Sequence, residues 1–399
     1  MTNAPRKTFP LLCLMLFALL LSTGTQFPTL NPFGESLQAT AAQVGWLWFW
    51  FAAPRAFMGP LWASLSDAWG RRPIFILGSI GMVGGSILWA LSTSFEMLVT
   101  SRVIDSALSA QAAVAFAVVA DITPAEKRSS AMGLLGMTAS LAFIIGPVFG
   151  AIFAAEFGLA SIGWLNAGLQ GFALLLAIAL LPETAPPRTG SRLAVPLFQS
   201  QSWHRLTASP VLPLILATVL IFTISYTQFN TAFQLITAKL FDFDERSVGY
   251  AWMILGLCAA ISQGGLIRQL APRLGEANVA GIGMIGTAIG FILMAMVPAP
   301  LMYWVATAIL GLGVGLTLAA LNALVSLNVS PADQGIMQGF NQAAQQIGRS
   351  IGPLMGSAGV AILGPPWPFV IAAAIAAFSL VGIALILRGT AGTAGTTRT

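Results

Sequence analysis

Charge is what this sequence has least of. Asp, Glu, Lys and Arg make up 8% of its 399 residues, against about 25% in an ordinary soluble domain. A chain so poor in charge and 57% hydrophobic cannot cover itself for water. That excludes a soluble globular protein and leaves most of the surface facing lipid. Histidine occurs once, as His204, in a polar stretch where a surface or interface role is expected rather than a proton relay. The two cysteines, Cys13 and Cys258, both fall inside apolar segments, so free buried thiols are expected and no disulfide framework. No metal-ligand cluster, phosphate loop or catalytic triad stands at workable spacing. Neither an enzyme, a resident metal nor a cofactor is therefore expected. The net charge of +5 is not a nucleic-acid footprint, because its residues sit in short loops between apolar runs.

What the chain does have is twelve apolar stretches of membrane-spanning length, the first at 9–30 and the last at 367–388. The first follows Arg6 and Lys7 but lacks a small-residue cleavage site after its apolar core, so it reads as a membrane helix rather than a signal peptide. Of the 18 Lys and Arg residues, thirteen fall in loops on the side of Arg71 and Arg72, while only Lys239 and Arg246 fall opposite. The positive-inside rule then places both termini in the cytoplasm of a multi-pass plasma membrane protein, expected to be a bacterial inner-membrane one.

The longest polar interruption, Pro182 to Pro210, reads as a cytoplasmic linker, 182–210, between an N-terminal bundle at 1–181 and a C-terminal bundle at 211–399. Gly133, Gly146, Pro147 and Gly150 recur 206 positions later as Gly339, Gly352, Pro353 and Gly356. The recurrence implies a duplicated unit. The expected fold is an all-α integral membrane protein with twelve transmembrane helices in two pseudo-symmetric six-helix bundles.

Four stretches carry a family resemblance. GPLWASLSDAWGRRP (Gly59–Pro73) resembles the signature loop between helices 2 and 3 of the major facilitator superfamily of transporters. Ser101–Arg128, with the helix 5 motif that ends in Gly146-Pro147-x-x-Gly150, and Leu181–Thr184 (LPET) look like the twelve-helix proton-coupled drug exporters, the tetracycline efflux group in particular. The resemblance implies a conformational latch built from Gly59, Asp67, Gly70, Arg71, Arg72 and Asp121. In it Asp67 sits at the start of helix 11, favoured by the helix dipole, and Arg71 pairs with Asp121. It also implies an antiporter-type role for Gly136, Gly146, Pro147 and Gly150. From the residues alone, Gly133, Gly136, Gly146 and Gly150 permit close approach of a neighbouring helix, and Pro147 removes a backbone donor. The second-half copy at Gly264–Glu276 keeps Gly264 and Gly275 but has Pro272 where the acid should stand.

Four ionisable residues lie well inside the spans: Arg55, Arg102, Asp105 and Arg349. A charge at membrane depth costs about 2.5–3.5 kcal/mol on insertion scales, so each is a functional candidate. Arg102 matches the helix 4 arginine that the family associates with proton coupling, and Asp105, three residues on, is the one carboxylate at depth. Burial favours its neutral form and an adjacent arginine its ionised form, which suits a proton carrier. The alternative is a lasting Asp105–Arg102 or Asp105–Arg55 ion pair that only holds helices together. Glu35, at the outer end of the first span, is the second candidate carrier, with a solvated loop acid as the reading its place after Asn31-Pro32 favours. The chain departs from the tetracycline group in lacking acids on helices 3 and 9 and in carrying Arg55 where those exporters have glutamine.

Three positive charges against one suit an anionic or zwitterionic small-molecule substrate. Tyr226, Gln228, Asn230 and Gln234 on the seventh span and Asn322 on the tenth would add directional contacts. Arg349 either faces the same cavity or points into helix packing. Trp46, Trp48 and Trp50 read as interfacial anchors. The function expected is proton-coupled efflux of a small organic molecule or drug by a monomeric secondary transporter, with the proton gradient as energy source. The alternatives are a symporter or facilitator of an organic anion, or a non-transporting receptor or assembly factor of the same fold.

Overall fold

The computed structural model describes residues 4–184, 200–207, 209–296, 299–330 and 333–396. Most of the expected linker, with Arg188 and Arg192, and also Pro331 and Arg398, lie outside the described residues. The described chain is helical: α1 (Ala4–Ser36), α2 (Ala41–Trp69), α3 (Arg71–Ala90), α4 (Phe95–Ala107), α5 (Gln111–Ile122), α6 (Ala125–Phe157), α7 (Ser161–Leu180), α8 (Ser200–Thr207), α9 (Val211–Thr227), α10 (Phe229–Phe241), α11 (Glu245–Ile261), α12 (Ile267–Leu274), α13 (Glu276–Met296), α14 (Pro300–Leu327), α15 (Gln334–Ile362) and α16 (Trp367–Thr396). In hydrocarbon a helix satisfies all its own backbone groups, which is why apolar runs of this length take that form.

Among the described residues, ten helical spans are long and apolar enough to cross a membrane, counting α4 with α5, α9 with α10, and α11 with α12 as one span each. The two further long helices, α2 and α15, have 29 residues each. At 1.5 Å per residue that is about 43 Å, ample for a bilayer. Arg55 and Asp67 lower the apolarity of α2, and Gln338, Asn341, Gln345 and Arg349 lower that of α15. With these two the twelve-helix arrangement is complete.

Three spans are interrupted. Residues 108–110 break the fourth span just past Asp105. The cause is packing: a Cβ at Gly78 would stand 2.7 Å from the Leu108 carbonyl oxygen, so the glycine face of α3 admits the irregular turn. Trp62 Nε1 donates to the Ala107 carbonyl at 2.6 Å, and Ser106 Oγ to that of Phe51 at 2.8 Å, which satisfies groups at the break. The seventh span changes register at Gln228, between α9 and α10, and the eighth carries a π-turn at Ser262–Leu266.

By packing, the chain forms two compact units. The first comprises Met1–Ala39, Trp50–Val195 and Asp244–Met253; the second comprises Thr40–Phe49, Pro196–Phe243 and Ile254–Thr399. Two helix starts thus pack with the unit opposite to the one their place in the chain suggests. Within the second unit, a Cβ on Gly45 would stand 3.0 Å from Leu354 Cα on α15. Within the first, Trp252 of α11 stacks on Phe27 of α1 with centroids 4.8 Å apart, and Arg246 pairs with Glu156 of α6. Short α8 belongs to the second unit, where Arg205 pairs with Asp333 at 2.6 Å and the Trp203 ring meets Phe340 edge-on at 4.9 Å.

The repeat read from glycine and proline positions has a packing counterpart inside each unit. In the first, a Cβ on Gly146 would stand 2.8 Å from Gly24 Cα, and one on Gly150 would stand 2.7 Å from Thr25 Cβ. In the second, Gly352 meets the Ile224 carbonyl at 2.7 Å and Gly356 meets Thr231 Oγ1 at 2.6 Å by the same measure. Gly133 and Gly136 have no atom within 4 Å of a Cβ position, so the close approach expected of all four helix 5 glycines is confined to Gly146 and Gly150. Those two glycines serve helix packing within the unit.

Trp48 also departs from expectation. It is 1% exposed and belongs to the core, whereas Trp46 and Trp50 remain exposed. Cys13 and Cys258 are free but only partly buried. His204 and Glu35 are exposed.

Candidate substrate and coupling site

The charged residues at membrane depth in the first unit form one cluster. Asp105 Oδ2 lies 3.4 Å from Arg55 Nη2 and 3.6 Å from Arg102 Nη1. One carboxylate oxygen therefore serves two arginines, while Asp105 Oδ1 is buried with no hydrogen-bond partner among the described residues. α3 makes room for this: a Cβ at Gly85 would stand 3.0 Å from Asp105 Cβ.

Arg102 is fully buried, so its charge has to be matched from several directions. Its guanidinium lies 4.4 Å over the Trp89 ring, its Nε donates to Ser101 Oγ at 3.2 Å, and its Nη1 donates to Gln26 Oε1. A desolvated guanidinium over an indole gains about 2 kcal/mol. Gln26 is fixed in turn by its Nε2, which donates to the Ser22 carbonyl at 3.3 Å. Ser22 Oγ accepts from Gln170 Nε2 at 3.1 Å, and Gln170 Oε1 accepts from Ser86 Oγ at 2.8 Å. A chain of neutral polar groups on α1, α3 and α7 thus supports the charged cluster. Arg55 differs in reach: its side chain is 16% exposed against 0% for Arg102 and 1% for Asp105. Its guanidinium stands 4.5 Å over the Phe51 ring.

A second cluster forms at the turn between α2 and α3. Gly70 holds φ +101°, a conformation only glycine takes without strain, and Gly275 of the second unit repeats it at +79°. Arg71 Nε donates to Asp121 Oδ2 at 3.0 Å and Arg71 Nη1 to Asp67 and to Ser66 Oγ. Asp67 is the open member, with its side chain 63% exposed. Glu183, of the LPET stretch, accepts the backbone N–H of Arg71 at 2.9 Å and of Arg72 at 3.1 Å. Arg72 Nη2 donates back to the Ile178 carbonyl at 2.6 Å, and Thr184 Oγ1 donates to Asp121 at 3.2 Å. Glu183 as a helix cap escaped sequence reasoning, since 111 residues separate it from its partner. Its acid next to Pro182, just past an apolar span, was the available signal. Gly59 has nothing within 4 Å of a Cβ position.

In the second unit the candidate residues are amides. Gln228, at the α9/α10 break, is fully buried, and neither side-chain polar atom has a hydrogen-bond partner among the described residues. Asn230 and Gln234 are also buried, while Tyr226 is half-buried with its ring 5.7 Å from that of Phe222. Asn322 Oδ1 accepts from Asn341 Nδ2 at 2.6 Å and from Gln345 Nε2 at 3.3 Å. Arg349 is exposed and makes no ion pair among the described residues. Gln26, Trp89 and Asn341 are members of these clusters that the sequence did not single out. Gln26 had one usable signal, as the lone amide of the first apolar span.

A family model described as Major Facilitator Superfamily matches residues 12–353, and a second time 266–398. The tetracycline resistance protein of class E from Escherichia coli is 29% identical over 307 residues, which cover 76% of this chain and 75% of that protein. Multidrug resistance protein 2 of Bacillus subtilis is 25% identical over 357 residues, 89% of each chain. The solved structure of the human organic anion transporter MFSD10 (TETRAN) has a TM-score of 0.72 at 21% identity, covering 96% of this chain and 100% of that one. At that identity the likeness establishes a shared fold.

Proposed function

The chain belongs to the major facilitator superfamily, whose members are membrane transporters of small molecules and not enzymes, and from that premise we propose that it couples proton movement to the passage of a small organic anion. The observation that carries this reading is the placing of Asp105 Oδ2 against both Arg55 and Arg102. Two cations and one carboxylate leave the cluster net positive, which favours a negatively charged group on the substrate and disfavours a cation. Asp105 is the carboxylate at this depth in the first unit among the described residues, and so the candidate proton carrier, with Arg102 as its fixed counter-charge. The name of the organic anion transporter of like fold agrees with this reading.

Alternating access of a monomer in a bacterial inner membrane, with both termini cytoplasmic, is part of the proposal. So is a latch at the Arg71–Asp67–Asp121 cluster. A second reading, proton-driven efflux of a drug, is favoured by the names of the tetracycline and multidrug resistance relatives.

Flux of a charge-matched series through purified protein in proteoliposomes separates the two readings. 2-Naphthalenesulfonate should be carried and 2-naphthylmethylamine should not. Carriage of the amine with exclusion of the sulfonate would sink the anion reading and leave the drug-efflux one.

A further inference from the structure

Resting on that anion reading, we infer that Asp105 is an internal stand-in for the substrate's anionic group, so that anion and proton bind together and do not exchange. Arg102 and Asp105 are sealed, whereas Arg55 is 16% exposed. Arg55 is therefore the member an incoming anion can reach. Arg55 Nη2 meets Asp105 Oδ2 at 3.4 Å. An anion that takes the Arg55 guanidinium sets a second negative charge beside the Asp105 carboxylate. One proton relieves the repulsion by adding to Asp105 Oδ1, the buried oxygen that has no hydrogen-bond partner among the described residues.

The charge balance closes. Before binding, two arginines and one carboxylate sum to a single positive charge. Afterwards, two arginines, a neutral carboxyl and one bound anion give the same sum. The groups facing Asp105 from the packed elements are Arg55 on α2 and Arg102 on α4, together with the uncharged Gly85 of α3. Gln26 of α1 reaches the cluster through Arg102 and is also uncharged. Thus no second acid at this depth is available, among the described residues, to take the proton or reverse the sign. Exchange of an anion for a proton would require that negative charge beside Asp105 disfavour its protonation, which is the opposite of what charge does. By linkage the effect is reciprocal: acid strengthens anion binding to the extent that anion binding takes up protons. An inward proton gradient would then draw the anion inward.

The test uses purified full-length protein in detergent with 2-naphthalenesulfonate, an anion that does not titrate in the working range, so that any pH dependence belongs to the protein. Its affinity should rise by up to about tenfold per pH unit as pH falls through the working range. Mixing in weak buffer should turn the medium alkaline, as protons are taken up toward one per molecule bound. In Asp105→Asn the affinity should be high and independent of pH. Should that variant fold poorly, proton uptake by the wild type decides alone. Binding that is pH-independent or weakens in acid, or proton release on mixing, overturns the linkage while the anion reading stands. No binding of the sulfonate at any pH, with the amine bound instead, overturns both.

Discussion

Arg72 and Glu183 cap each other's helices. Glu183 accepts two backbone N–H groups from the first turn of α3, and Arg72 donates to the Ile178 carbonyl in the last turn of α7. An acid at a helix N-terminus and a base at a C-terminus both complement the dipole. Glu183→Ala should therefore lower stability by about 1–2 kcal/mol, and Glu183→Gln, which keeps an acceptor, by less than half of that. Thermal unfolding of the detergent-solubilised variants checks the order.

The helix 5 glycines are not equivalent. Val at Gly150 forces a side chain against Thr25 and should cost at least about 1–3 kcal/mol. Gly136→Ala meets nothing within 4 Å and should be neutral or stabilise by up to about 1 kcal/mol, the helix-propensity gain. Equal destabilisation by both, in a melting series, would contradict the packing account of the motif.

Asp244 caps α11, accepting from Ser247 N at 2.9 Å and Ser247 Oγ at 2.7 Å. Partial burial pushes its carboxyl up, but the Ser247 bonds and the nearby Arg246 charge outweigh this and hold it below the usual carboxylate range. A depressed folded-state value means stability that is present above the unfolded value and lost as pH falls through the folded one. Asp244→Ala should thus cost about 1 kcal/mol at neutral pH, and the part of that cost owed to the charge should be gone once the medium is well below about pH 4. The gap between the unfolding curves of the two proteins should be narrower in acid than at neutral pH.

Asp67→Asn removes an exposed ion pair worth about 0–1 kcal/mol, so folding should be nearly unchanged. Because Arg71 then keeps Asp121 alone, flux should fall severalfold if the cluster acts as a latch. Transport and melting measured on one preparation separate the two effects. Wild-type flux would reduce the stretch to a turn that sets topology.

The twelve helices were legible because hydropathy and loop charge are local properties of sequence. Glycine spacing exposed the duplication because the same close approach recurs in each unit, Gly146 on Gly24 and Gly352 on Thr227 and Ile224. The break after Asp105 was not legible, since it depends on the glycine face of α3 and on Trp62, 45 residues from the carbonyl it caps. Nor was the choice between the Arg102 and Arg55 partners of Asp105. Helical spacing offered Arg102, whereas Arg55 arrives from 50 residues away, and the structure has both on one oxygen.

The account turns on Asp105 as the group that ties an anion to a proton. Accumulation of 2-naphthalenesulfonate in proteoliposomes, driven by an acid exterior, tests it most directly. Wild type should concentrate the probe and lose the gradient on addition of a protonophore, and Asp105→Asn should exchange the probe without concentrating it. Accumulation by Asp105→Asn equal to wild type, or accumulation indifferent to the protonophore, would contradict it.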